Sequence, residues 1–297
     1  MLSVVFGAAH AATPQADDGS VLVIGRMSDD PQAHYEQLKP LLDYVVARMG
    51  DVGIKEGRIL MARDTQQMTS YLRRGRVDWV AETSGTAMQL QKRAGARVLV
   101  LTERGGVSRY HSVFFARKDS GINSLADLEW HSIAFQSSGS TSSYIVPAAT
   151  LLEAGLNLEI LLSPFDRPAP HSVGYVFARS ELNVAAWVHK KLVDAGVFSS
   201  LDWSDERRMP PTFRPDMKII YETQEYPRAV EMVRGDLDPK VEARLREVLL
   251  QAANDPDARE AMALFFRTTR FLPVDAVSRQ GLDRVRDGAA RVREQVE

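Results

Sequence analysis

Residues 132–154 read SIAFQSSGSTSSYIVPAATLLEA. The first four are an apolar run of strand character. Ser137 to Ser143 then carry six hydroxyls and one glycine, and residues 144–154 have the apolar content of a helix closed by Gly155. Pro147 suits that helix only in its first turn, where its missing N–H is not needed. Hydroxyl side chains at a helix mouth stand beside unpaired backbone N–H groups, at the positive end of the helix dipole. A strand, a hydroxyl loop and a helix in that order make a cradle for a phosphate-like anion.

Outward from this unit, strand and helix patterns alternate. Residues 21–26 (VLVIGR) read as a buried first strand, and 34–49 as a helix with Leu38, Leu41, Leu42, Val45, Val46 and Met49 on one face. Strands at 58–62, 77–81 and 98–102 alternate with helices at 65–74 and 83–94, Thr65 serving as a helix cap. The pattern predicts an open α/β sheet. Residues 112–117 form a further strand and a crossing into a second lobe. There, 183–188 read as a strand, 198–215 as a proline- and charge-rich connector, and 217–221 as a strand returning to the first lobe. Residues 238–252 and 255–266 are amphipathic helices, and 274–296 a charged terminal one.

Composition narrows the function classes. The chain has 297 residues, 44% hydrophobic and 26% charged, with a formal net charge of −2, the profile of a soluble globular protein. That balance gives no electrostatic case for nucleic acid or an anionic membrane surface. The absence of cysteine excludes disulfides, thiolate metal ligands and a cysteine nucleophile. Leu2 to Ala9, followed by His10, Ala11 and Ala12, has the small-residue pattern of a secretory cleavage site without a charged n-region. We therefore expect a truncated signal over 1–20, with a disordered tail as the alternative, and an exported protein. No other apolar stretch approaches the ~20 residues of a membrane span. Motifs for acyl or phosphoryl transfer and zinc hydrolysis are absent. His34, His111, His131 and His189 lack metal-ligand spacing. Ser140 and His171 are weighed as a nucleophile–base pair, but adjacent hydroxyls suit anion holding better. Neither an enzyme nor a cofactor is expected.

Two segments carry a family resemblance. Tyr110 to Leu128 (YHSVFFARKDSGINSLADL) and Gly139 to Pro147 (GSTSSYIVP) resemble the motifs of phosphonate-, phosphite- and phosphate-type periplasmic substrate-binding proteins of ABC transporters. Residues 71–88 (YLRRGRVDWVAETSGTAM) are similar to that family's "G-x-VD" strand and following helix. The resemblance covers roughly residues 21–273. It implies two α/β lobes of the type II binding-protein fold, joined by two crossings with the ligand cleft between them. Lobe 1 would comprise 21–112 and 217–273, lobe 2 residues 113–216, with 274–297 a separate helix.

The resemblance also implies site residues. Ser140, Thr141 and Ser142 match the anion-binding hydroxyls, with Ser138 in the same run. Tyr110 matches a cleft tyrosine, His171 a cleft histidine, and Thr65 falls where a tyrosine is usual. The sequence departs from the family at Ser143, where glycine is usual, and at Glu82 and Thr83, where aromatic and glycine residues are usual. An acidic residue that pairs with an aminophosphonate ammonium has no counterpart at 226–229, where Arg228 stands instead. A small oxyanion is then favoured over an aminoalkyl phosphonate, and Glu82 would select a protonated form. The expected role is a monomeric solute-binding protein delivering phosphate, phosphite or phosphonate to an ABC permease. The alternative is a binding subunit that presents its closed form to the periplasmic domain of a sensor histidine kinase, and the 274–296 helix is a candidate docking surface. A binder that has lost its ligand and serves as an interaction domain is a third reading.

Overall fold

The computed structural model describes residues 19–296. The expected tail over residues 1–20 lies almost wholly outside them. Lobe 1 begins with β1 (Val21–Met27), α1 (Pro31–Val46), β2 (Glu56–Ala62), α2 (Thr65–Arg73), β3 (Trp79–Thr83), α3 (Ser84–Ala94) and β4 (Arg97–Arg104). Two residues of extended chain, β5 (Arg109–Tyr110), lead out of it. Lobe 2 holds β6 (Ser112–Arg117), β7 (Ser132–Phe135), α4 (Val146–Glu153), β8 (Asn157–Ile160), β9 (Ser172–Phe177), α5 (Glu181–His189), β10 (Ala195–Ser199), α6 (Ser200–Ser204) and β11 (Met217–Glu222). The chain returns through β12 (Tyr226–Pro227) to β13 (Ala229–Val233), α7 (Pro239–Gln251), α8 (Arg259–Leu264), β14 (Thr268–Leu272) and α9 (Ala276–Gln295).

Each lobe is built on a six-stranded sheet. The order is β14-β4-β13-β3-β1-β2 in lobe 1 and β11-β6-β10-β7-β9-β8 in lobe 2. In lobe 1, β1 runs parallel to β2 and β3, while β13 runs antiparallel to β3 and β4. The antiparallel strand enters because the chain comes back from lobe 2 and must insert beside strands already laid down. The two crossings pair with each other, Tyr226 opposite Tyr110 and Pro227 opposite Arg109. They form a two-stranded hinge.

Burial follows the sequence periodicity. On α1, Leu38, Leu41, Leu42 and Val45 are fully buried against the sheet, each worth about 1.5–3 kcal/mol on leaving water. Asp30 caps that helix by accepting from Ala33 N–H, and Pro31 sits in its first turn. Pro147 likewise lies in the first turn of α4.

Four expectations need correction. Residues 183–188 are helical, not a strand, because Ser180 caps the Asn183 N–H and the run continues into helix-favouring alanines. The 217–222 strand does not return to lobe 1. It pairs antiparallel with β6, so lobe 2 extends to β11 and the return falls at β12. The 198–215 connector contains α6 and the fully buried Phe198 and Met209. The C-terminal helix is not separate from the lobes. In α9, Leu282 and Val285 join the core of lobe 1 and Val292 that of lobe 2. Gly281 lets α9 approach the hinge, where a Cβ would lie 2.9 Å from Pro227 Cδ, and Gly288 lets it approach Ala149 of α4 equally closely.

Candidate functional site

The carboxyl ends of β1, β3 and β4 share one edge of the lobe 1 sheet, and those of β7 and β10 share one edge of lobe 2. In open α/β sheets such edges are where ligands bind. Both edges flank the hinge, and the residues that follow them form the cleft walls.

On the lobe 2 wall, residues 141–145 wind into a wide π turn ahead of α4. Ser140 caps it, its Oγ accepting from Ser143 N–H at 3.1 Å. Ser143 Oγ donates to the Val197 carbonyl and accepts from Gln136 N–H at 2.9 Å, which ties the turn to β10 and β7. This is a structural use for the hydroxyl at the position where the resemblance leads one to expect glycine. Among the described residues no acceptor meets the Thr141 and Ser142 N–H groups. Ser138 is exposed at the loop tip.

On the lobe 1 wall, β3 ends at Glu82 and Thr83, and α3 opens with Ser84 and Gly85. Thr141 reaches across the cleft to this helix mouth. Its hydroxyl accepts from Gly85 N–H at 2.9 Å and donates to Thr83 Oγ1 at 3.0 Å. Only a glycine fits opposite, because a Cβ at position 85 would lie 2.7 Å from both Thr141 Oγ1 and Ile145 Cδ1. The Ser84 hydroxyl donates to the Pro227 carbonyl, anchoring α3 to the hinge. Two helix mouths therefore face each other across a closed cleft.

The hinge supplies Tyr110 and Tyr226, packed edge to face with centroids 4.9 Å apart. Burial pushes the Tyr110 phenol up to about 12, against the lesser opposing effect of the Ser142 hydroxyl beside it. It is therefore a neutral donor at any physiological pH. Burial raises Tyr226 well above its ordinary value, and its phenol pairs with Ser112 Oγ at 2.8 Å.

A cluster of cations lines the same edge of lobe 1. Arg26 is the last residue but one of β1, Arg104 ends β4, Arg228 precedes β13 and Arg267 precedes β14. Arg26 Nη1 donates to the Ala81 carbonyl at 2.6 Å and lies 3.2 Å from Glu82 Oε1. Glu82 thus faces an arginine inside the protein. Arg228 Nη1 donates to the Arg104 carbonyl at 2.7 Å. The guanidinium carbons of Arg26 and Arg104 lie 4.9 and 4.5 Å from the Phe266 ring centroid. Beneath them, fully buried Glu231 accepts from Trp79 Nε1 and Thr102 Oγ1, both at 2.6 Å. Burial raises its carboxyl to about 7, an effect opposed by those two donors and by Arg104 and Arg26.

Of the residues expected in the site, the structure gathers Ser140, Thr141, Ser142, Thr83, Glu82, Tyr110 and Arg228 around the cleft edge. Thr65 opens α2 after Asp64, the actual cap, beyond the end of β2 and farther along the same sheet. His171 is displaced altogether. It precedes β9, whose first residues lie beside the start of β7, the edge opposite the hydroxyl loop. There it is exposed and pairs with Glu129 at 2.8 Å. The resemblance placed it after a strand, and the structure puts it before one. Arg26, Arg104 and Phe266 were not anticipated. The available signal was an arginine closing each of two apolar strands, VLVIGR and VLVLTER.

Two lobes, a two-stranded hinge and helix mouths converging on the cleft define a two-lobed ligand-binding protein. The model of the family described as ABC transporter, phosphonate, periplasmic substrate-binding protein matches residues 24–278. The chain is 56% identical to XAC2383 from Xanthomonas citri in a structure bound to chloride ion, covering 93% of this chain and 100% of that one with a TM-score of 0.88. The structure of the same protein bound to ATP gives 55% identity, 94% and 100% coverage and a TM-score of 0.87. PhnD1 from Prochlorococcus marinus (MIT 9301) in complex with methylphosphonate shares the fold at 17% identity, with 93% and 100% coverage and a TM-score of 0.65. The chain belongs to the phosphonate-type periplasmic substrate-binding proteins of ABC transporters, which have the type II fold. Among the described residues no helix is long and apolar enough to cross a membrane, and no cluster of His, Asp and Glu is arranged to hold a metal.

Proposed function

We propose that this protein captures a phosphorus oxyanion in the interlobe cleft and delivers it to an ABC permease. The observation that carries the reading is the pair of helix mouths facing each other at Thr141 and Gly85. Each offers backbone N–H groups and the positive end of a helix, and hydroxyls line the space between them. A tetrahedral anion binds there by accepting from Thr141 N–H, Ser142 N–H and the Ser140 hydroxyl. Its remaining oxygens face the Thr141–Gly85 bridge, which holds the cleft shut over it. Charge-assisted bonds in a closed, water-poor cleft supply the affinity.

The relatives support this class of ligand. Methylphosphonate occupies PhnD1 and ATP occupies XAC2383, and both carry tetrahedral phosphorus. The family match favours transport over presentation to a sensor kinase. Isothermal titration with phosphate, phosphite, methylphosphonate, aminoethylphosphonate and ATP tests the reading. Saturable binding of at least one of them, lost in Ser140→Ala with Thr141→Ala, is the expected result. No heat of binding from any of the five would overturn it.

A further inference from the structure

Arg104 is 9% exposed, yet among the described residues its Nε and Nη2 meet no hydrogen-bond partner, and the buried Nε of Arg26 likewise meets none. Burial pulls the Arg104 guanidinium down to about 10, so it remains cationic at neutral pH. A buried cation with idle donors is costly unless something anionic meets it. The protein's own carboxylates, Glu231 first and Glu82 less, offset part of the Arg104 charge but do not bond these donors. Glu82 lies against Arg26, and Glu231 already accepts from Trp79 and Thr102. Glu103, the residue beside Arg104, turns to Arg270 at 2.9 Å.

The backbone around the cluster is also unusual. Phe266 and Arg267 both hold left-handed conformations, with φ of 53° and 57°. Non-glycine residues adopt these at a cost, and two in succession persist only where surrounding structure enforces them. Here the turn puts the Phe266 ring against two guanidiniums. A guanidinium lying over a ring keeps its in-plane N–H edge free for a ligand oxygen.

The cluster adjoins the hydroxyl cradle. Ala229 pairs with Thr83 and Val230 with Glu82, so Arg228 stands one position beyond the residue that bonds Thr141. Paired strands lie about 5 Å apart, which puts the arginines within roughly 5–10 Å of the cradle. The short end of that range is spanned by the terminal groups of a three-phosphate chain, not by adjacent phosphates.

We infer that Arg26, Arg104 and Arg228 form a second anion subsite, and that the ligand is a multiply charged phosphate chain or phosphate ester rather than a lone oxyanion. This rests on the cradle holding one phosphoryl group, and it departs from the expectation of a small oxyanion. Affinity should then rise with the number of linked phosphates, because a longer chain reaches the arginines already in place.

The test is titration of the full chain with methylphosphonate, pyrophosphate and tripolyphosphate. Tripolyphosphate should bind at least ~10-fold more tightly than methylphosphonate, the effect of one charge-assisted hydrogen bond or more. Arg228→Gln and Arg26→Gln should each reduce tripolyphosphate affinity by ~10-fold or more and methylphosphonate affinity much less, while Arg228→Lys retains part of the preference. Thermal melts of each variant separate folding loss from binding loss. Equal affinity for all three ligands, or equal loss for all three in the glutamine variants, overturns the subsite and leaves the cradle standing. No binding of any ligand overturns both. Tripolyphosphate binding without methylphosphonate binding, abolished in Arg228→Gln, sustains the subsite and overturns the cradle.

Discussion

Glu231 is the residue with the clearest solution signature. Its carboxyl is fully buried and raised to about 7 from an ordinary value of 4.5, burial being the main cause. The folded protein therefore holds this proton more tightly than the unfolded chain does. The resulting stability is fully present below about pH 4.5 and is lost as pH rises through about 7, on the order of 3 kcal/mol. Glu231→Gln should flatten the slope of melting temperature between about pH 5 and 7 relative to the parent protein. Parallel slopes would show that the carboxyl is ionised throughout. Legibility at this scale was uneven. The hydroxyls were plain because they are contiguous and follow a strand. Arg26, Arg104 and Arg228 were not read as a group, because 78 and 124 positions separate them and only the sheet brings them together.

Among the elements, the π turn and α3 show how local geometry and lobe closure are linked. Gly85 has no Cβ, and that absence allows Thr141 to reach its N–H. Gly85→Ala should hold the turn away from α3 and weaken ligand binding by about tenfold or more, with a small change in melting temperature. Thr141→Ala should weaken binding similarly and Thr141→Ser should restore it. Titration calorimetry measures all three, and unchanged affinity in both alanine variants would separate this contact from closure. Strand and helix alternation was legible in lobe 1, where periods are regular and caps are strong. It failed at α5, where NVAAWV has the apolar run of a strand and only Ser180 marks the helix start. It failed also at β11, since pairing partners across a crossing leave no trace in local pattern.

For the whole molecule, α9 is the organising element. It adds Leu282 and Val285 to one lobe's core and Val292 to the other's, and Arg291 pairs with Glu153 of α4 at 2.6 Å. Lobes sharing a helix in this way should unfold together, in a single calorimetric transition. Gly288→Val, which drives a side chain into Ala149, should lower the melting temperature and broaden or split that transition. Two transitions in the unmodified protein would show that the lobes fold independently. The Thr141 bridge has a different consequence, for kinetics. A protein that shuts on its own hydroxyl must open before a ligand can enter. Binding must wait for that bridge to release, and the same bridge re-forms over the ligand to hold the loaded form shut. The binding rate at high ligand concentration then approaches a ceiling set by the rate of opening, a property of the protein that no change in ligand supply can raise.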